Sequence, residues 1–258
     1  MTAPIFLDTN GTRDDVVHRL LTLFAGLGSW RDPRAWLELA VPQVLAAERL
    51  VAQTTDANLK NQLLRLLGEN ARLPTVDYDR TTGRALRGVR PESVYRRPFQ
   101  QLWSALDNGL PLQEAITQGL DRLESIIETD LQLAATHSVF RGTKGLERIA
   151  YRRVPKNGAC ALCMIASTQH YRSGTLMPIH PGCRCTVRAT LTADESHVAD
   201  PDLVESIHRA VEATFGPEAV NRSAKGYSQY RDLVVVRQHG EYGPTLARRE
   251  DSFEGPRG

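Results

Sequence analysis

A chain of 258 residues has room for one large domain or two small ones, and it can bury a sizeable core. Its formal net charge of +2 rules out any global argument for a polyanionic partner, and an apolar fraction of 41% with only 6% aromatic residues leans from a compact enzyme towards a helical, partly extended protein. No apolar run reaches the roughly 18 residues of a membrane span, and the start, MTAPIFLDTNGTRDD, lacks the basic-then-apolar order of a secretion signal. The expectation is a chain in reducing cytosol and off the membrane, where CxxC pairs hold metal more often than they form disulfides.

In chain order, residues 1–12 read as an irregular arm. Asp14–Leu27 places Val16, Val17, Leu20, Leu21, Phe24 and Leu27 at helical spacing. A long helical pattern follows from Arg34 to Leu67, and Pro42 inside it predicts a kink or a split. Residues 74–92 break the periodicity with glycine, proline and threonine and read as a loop. Arg80, Arg84, Arg87 and Arg90, extended by Arg96 and Arg97, make it basic: a solvated surface, or a contact strip for an acidic partner or nucleic acid. Ser93–Leu106 repeats Tyr95, Phe99, Leu102, Trp103 and Leu106 as one aromatic helix face. Asn108-Gly109 stops it, and Pro111 opens a longer helix over Leu112–Val139. So short a link predicts antiparallel neighbours.

Leu146–Pro155 alternates, with Ile149, Tyr151 and Val154 inward. It reads as a strand or a helix end, and Thr186–Leu191 is a candidate antiparallel mate. Asp202–Phe215 is a short amphipathic helix and Asp232–Arg237 a strand before a turn at His239-Gly240, with a polar, loose tail from Arg248. The fold class is therefore mainly α: a helical N-terminal part over 1–145, then a small α+β, zinc-knuckle-like Cys/His module over 146–193. A helix, one or more short strands and a tail follow over 194–258.

All four cysteines lie within the 26 residues Cys160–Cys185, as Cys160-x-x-Cys163, sixteen residues, then His180-Pro-Gly-Cys183-Arg-Cys185. Structural zinc takes four Cys or His ligands as two close pairs. Cys160 and Cys163 form one pair; His180, Cys183 and Cys185 are three candidates for the other, so one of the five is surplus. Two disulfides, or four buried thiols without metal, are the rival readings. The same region carries a local charge. Residues 148–193 hold seven basic side chains (Arg148, Arg152, Arg153, Lys156, Arg172, Arg184, Arg188) and no acidic one, against 17 basic and 18 acidic before them and eight and twelve after. These seven are candidate contacts for nucleic acid or a partner. A hydrolytic metal site needs an acid or base nearby, and none lies between Glu147 and Asp194; no Walker, GxGxxG, HExxH or GxSxG pattern occurs. The expectation is no enzyme and no small-molecule substrate.

The stretch RRVPKNGACALCMIASTQHYRSGTLMPIHPGCRC resembles the signature of Mu F-like minor head proteins of tailed bacteriophages. The matching features are Arg152/Arg153, Cys160/Cys163, Tyr171, and His180-Pro181-x-Cys183-x-Cys185. Upstream, Tyr95–Arg141 is similar to the versions from phages of actinobacteria, and so is the tail YSQYRDLVVVRQHGEYGPTL. The resemblance implies a minor capsid component of the virion. It would attach to the portal protein or inner head, beside packaged DNA and the major capsid or scaffolding protein, and act in head assembly and in genome packaging or ejection. Its location would be the head interior or portal vertex, and the host cytoplasm during assembly.

Overall fold

A computed structural model describes residues 9–156, 158–192, 201–220 and 228–251. They form two compact units: the described part of Met1–Asn58 with Val76–Ser138, and Leu59–Thr75 with the described part of Val139–Gly258. This division differs from the sequence boundaries at 145 and 193. Residues 59–75 and 139–145 fall with the cysteine module, and so does the C-terminal region.

The first unit is helical. Helix α1 (Thr9–Ala25) starts inside the predicted arm, whose residues 1–8 lie outside the described residues. Helix α2 (Arg34–Leu67) runs through Pro42 as one element. The proline removes one N–H, but Trp36, Ala40, Val41, Val44, Ala47 and Val51 are buried on both sides of it, so packing overrides the local preference. The predicted aromatic helix is two: α4 (Pro91–Tyr95) and α5 (Arg97–Asp107), with Pro98 at the start of the second. Helix α6 spans Leu112–Thr143. Phe24 of α1, Trp36 of α2 and Phe99 of α5 meet pairwise edge to face, with centroids 4.9–5.6 Å apart, and join three helices at one point. Gly119 of α6 lets this happen: a Cβ there would sit 3.2 Å from both the Phe24 ring and the Pro98 carbonyl oxygen.

The segment 74–92 is not a plain loop. It holds a 3-10 turn (Tyr78–Arg80) and the single-turn helix α3 (Arg84–Arg87), and polar groups fix it. Tyr78 donates to Asp56 at 2.6 Å, and the Gly83 N–H donates to Glu48 at 2.6 Å. Arg87 pairs with Asp130 of α6 in the interior, and Tyr95 donates to the other Asp130 oxygen at 2.7 Å. Gly83 has φ +56° and its Cβ would lie 2.9 Å from Leu45, so only glycine fits this close approach. Arg87 is thus an internal cation, not part of a surface strip. Arg80 and Arg90 face Asp77 and Glu92, each at 3.5 Å.

The second unit contains the strands. β1 (Ile149–Val154) is central in a three-stranded antiparallel sheet, between β2 (His170–Arg172) and β3 (Thr186–Leu191). The strand reading of Leu146–Pro155 and its pairing with Thr186–Leu191 hold, with Tyr151 opposite Ala189 and Arg152 opposite Arg188. The inward residues are Ile149, Tyr151 and Arg153, not Val154; the period of two allows no other set. Ile149, Tyr151 and Ala189 pack on Leu59, Leu63, Val139 and Met177. At the free edge of β3, the Gln62 amide donates to the Val187 carbonyl at 3.2 Å and accepts from the Ala189 N–H at 2.8 Å, in place of a further strand. Helix α7 (Ala161–Ala166) packs Met164 and Ile165 against Ile207 and Val211 of α8 (Pro201–Phe215) and against Tyr230.

The C-terminal region ends in a hairpin of β4 (Val234–His239) and β5 (Gly243–Arg248), the second of which the sequence reading left unassigned between its turn at His239-Gly240 and its tail from Arg248. The chain stays tied beyond it: Arg249 N–H donates to the Leu233 carbonyl at 3.1 Å, and Arg248 N–H to Asp251 at 2.9 Å. Residues 252–258 lie outside the described residues. No helix among the described residues is long and apolar enough to cross a membrane.

Candidate metal centre

Two short turns carry the donors. Gly158, with φ +77°, turns the chain so that Cys160 caps the N-terminus of α7 and Cys163 sits on its first turn. The loop between β2 and β3 presents the other three. Gly182, at φ +73°, lets the Cys183 N–H close a turn onto the His180 carbonyl at 3.1 Å, so His180 and Cys183 point the same way. This loop is held at three successive places. Tyr151 donates to the Thr175 carbonyl, Arg153 to the Pro178 carbonyl, and Ile179 is bridged to β5 by Ile179 N–H to Pro244 O at 3.2 Å and Leu246 N–H to Ile179 O at 2.7 Å. The hairpin therefore fixes the residue just before His180.

All five predicted donors converge on Cys163. His180 Nε2 lies 3.1 Å from Cys160 Sγ and 3.0 Å from Cys163 Sγ; Cys163 Sγ lies 3.6 Å from Cys183 Sγ. Cys160, Cys163 and His180 form one group able to hold a metal ion; Cys163, Cys183 and Cys185 form another. A tetrahedral ion with metal–sulfur bonds near 2.3 Å sets its sulfurs about 3.8 Å apart, and sulfur and nitrogen about 3.6 Å apart. The sulfur pair fits, and the nitrogen needs an outward shift of about half an ångström. His180 Nδ1–H donates to the Pro181 carbonyl at 2.7 Å, which leaves the Nε2 lone pair aimed at the sulfurs. A ligating histidine is held this way. Cys163, Cys183 and Cys185 are buried and Cys160 is exposed. A recess lined by Lys156, Gly158, Cys160, His180, Gly182 and Arg184 reaches the cluster from the surface.

The electrostatics favour charge on two of the four sulfurs, Cys160 and Cys183, and oppose it on Cys163 and on Cys185, which is pushed up to about 11. A hydrogen bond from Cys163 holds the Cys160 thiol down to about 4, against burial. The contact with Cys163 lowers Cys183 as well, and Cys163 moves up. Burial works against the charge of Arg153, but Cys183, Cys163 and Cys185 outweigh it and raise its pKa.

The seven basic residues separate. Arg153 is 1% exposed, so it is corrected from a partner contact to a part of the cysteine cluster: inward alternation aims it at Cys183 (3.0 Å) and Cys163 (3.6 Å). Arg152 lies on the other sheet face, opposite both Arg188 and His170, and Arg172 lies two register positions along, opposite Ala150. Arg148, Lys156, Arg172 and Arg188 are exposed; Arg152 and Arg184 are half-buried. Arg153 could have been recognised in the sequence, because Ile149, Tyr151 and Arg153 share one parity. The anchoring of Ile179 by β5 had no such signal, since nothing local marks a partner 65 residues on.

Comparison of the chain with protein-family models, curated proteins and solved structures finds no match.

Proposed function

We propose that this chain is a minor head protein of a tailed phage, a structural component that docks on the portal and carries one zinc ion as a folding staple. The family assignment rests on the resemblance of the Arg152–Cys185 motif, and the role is non-catalytic. The observation that carries the zinc is the convergence of all five motif donors around Cys163 with His180 Nε2 turned towards the sulfurs. Thiolate and imidazole donors without a carboxylate suit zinc, and a closed set of four suits structure more than catalysis. The test has two arms. Elemental analysis of the purified chain is expected to give one zinc per chain; a folded protein with four free thiols and no metal sinks the zinc. Incubation with the portal protein of the same phage is expected to give co-sedimenting rings; chain and ring migrating separately sinks the head role.

A second reading, nucleic-acid binding, is favoured by one observation: Arg152 and Arg188 stand opposite each other on the outer sheet face, with Arg172 beside them. Like charges directly opposite destabilise a sheet unless an anion lies over them. Filter binding whose salt slope falls by about 0.9 per arginine removed supports this reading; a slope unmoved by Arg152→Ala and Arg188→Ala rejects it.

A further inference from the structure

We infer that Arg153 is the counter-ion of the metal centre: its guanidinium balances a negatively charged thiolate–metal shell, which marks the site as one for a soft divalent cation held by His180 and three ionised cysteines. This rests on the metal reading above and goes beyond it in naming the charge that completes the site and the ligand set that the charge selects.

The argument begins with an anomaly in the strand. Positions 149, 151 and 153 point inward, and the first two are apolar or aromatic as an inner face requires. The third is a cation, 1% exposed. An ion taken out of water without a partner of opposite charge costs several kcal/mol. Arginine in such places is normally met by a carboxylate, but residues 148–193 contain none, and among the described residues no acidic side chain forms an ion pair with Arg153. What it reaches is Cys183 Sγ at 3.0 Å, Cys163 Sγ at 3.6 Å and the Pro178 carbonyl. The Tyr171 phenol also stands by the guanidinium, but burial raises its pKa and keeps it neutral, so among the described residues the atoms there that can carry the opposite charge are the sulfurs. A neutral thiol is a weak acceptor, and disulfide sulfur carries no charge; a metal-bound thiolate is deprotonated outright.

Charge then selects the ligands. A divalent ion with four thiolates has an excess of two negative charges, and Arg153 offsets one. With three thiolates and a neutral imidazole the excess is one, and Arg153 brings the buried centre to zero. His180 is set up as that imidazole, since its Nδ1–H is committed to the Pro181 carbonyl. Hard cations such as calcium and magnesium want oxygen donors, and the cluster offers sulfur and nitrogen.

The test uses the full chain and three variants: Arg153→Gln, Arg153→Lys and His180→Ala. Zinc affinity is read by competition with a chromophoric chelator, ligand chemistry by the absorption of the cobalt-loaded protein, and stability by thermal unfolding with zinc and with chelator. Arg153→Gln is expected to weaken zinc binding roughly 10- to 100-fold and to shift the thiolate-to-cobalt charge-transfer band. It is expected to leave the unfolding midpoint in chelator unchanged or higher, because a cation without its anion is removed. Arg153→Lys keeps the charge and is expected to stay within a few-fold of the parent; if Arg153→Gln does not fold, this variant decides. A loss in Arg153→Lys as large as 10- to 100-fold makes the guanidinium shape the cause and overturns the counter-ion role. Parental zinc affinity in Arg153→Gln together with a lower midpoint in chelator overturns it as well, in favour of plain packing. His180→Ala binding zinc as tightly as the parent overturns the ligand set. A parent chain that takes up neither zinc nor cobalt fails at the earlier step and removes the metal reading itself.

Discussion

The two units of this chain hold themselves together in different ways. The first gathers its apolar residues into one cluster, from Val16 and Phe24 through Trp36 and Val51 to Phe99, Leu123 and Ala135. Among its buried charges, Arg87 and Asp130 are paired with each other. The second divides its apolar burial into smaller groups: Leu59, Leu63, Ile149 and Tyr151 in one, Met164, Ile165, Ile207 and Tyr230 in another, and Cys163, Cys183 and Cys185 in a third. Small separate cores each remove little surface from water. A metal bound at the third group would tie α7 to the β2–β3 loop, and through Ile179 to the hairpin. The lesson is that a staple has most effect where the core is divided, and little where it is continuous.

If the cluster holds the proposed zinc, removing it is the largest way to break that contrast. Chelation, or Cys160→Ser with Cys163→Ser, is expected to cost the second unit up to about 10 kcal/mol, the scale of structural zinc in small domains. Amide hydrogen exchange reads it region by region. Protection is expected to disappear over 59–75, 139–192 and the described residues beyond, and to persist over 9–58 and 76–138. Loss that stops at residue 145, leaving 59–75 protected, restores the boundary read from the sequence; uniform loss makes the two units one.

A change of pH acts on the first unit instead. Burial, followed by the charge of Asp130, pushes the Glu48 carboxyl up to about 8 from an ordinary 4.5, against the Gly83 N–H and Arg87. A folded value above the unfolded one gives stability that is full below about 4.5 and is lost as pH rises to about 8. Exchange protection of residues 9–58 is therefore expected to weaken between pH 5 and pH 8, by on the order of 2 kcal/mol more in the parent than in Glu48→Gln. Zinc affinity at pH 8 stays the same in both. An identical pH profile for the two proteins removes Glu48 from the account.

Much of this arrangement was legible from residue order, and for a physical reason: helical and strand periods are local. Phe24, Phe99 and Leu123 could be placed inside from their neighbours three and four residues away, and Ile149–Tyr151 from alternation. The five donors were legible because metal chelation also works at short spacing. What was hidden depends on partners far along the chain. Arg87 looked like one more loop arginine until Asp130, 43 residues on, took it inside. Pro42 looked like a break because local chemistry says so, and the burial on both sides that overrides it is tertiary. Arg153 sat between, with its parity readable and its sulfur partners not.

The smallest effect separates the sheet from the metal within the second unit. Gln62→Ala removes two hydrogen bonds from the edge of β3, to Val187 and from Ala189, and leaves that edge open. Two ordinary bonds to a half-exposed edge are worth about 1–2 kcal/mol together. The cost is expected as a lowered denaturant midpoint at saturating zinc, with faster exchange of the Ala189 amide. Gln62→Glu should recover only part of it, since a carboxylate accepts from Ala189 but repels the Val187 carbonyl. Zinc affinity should not change, because Cys185 leaves the loop before the strand residues that Gln62 holds. Weakened zinc binding in Gln62→Ala with an unchanged Ala189 amide reverses that order and makes the edge a support of the metal site instead of the sheet.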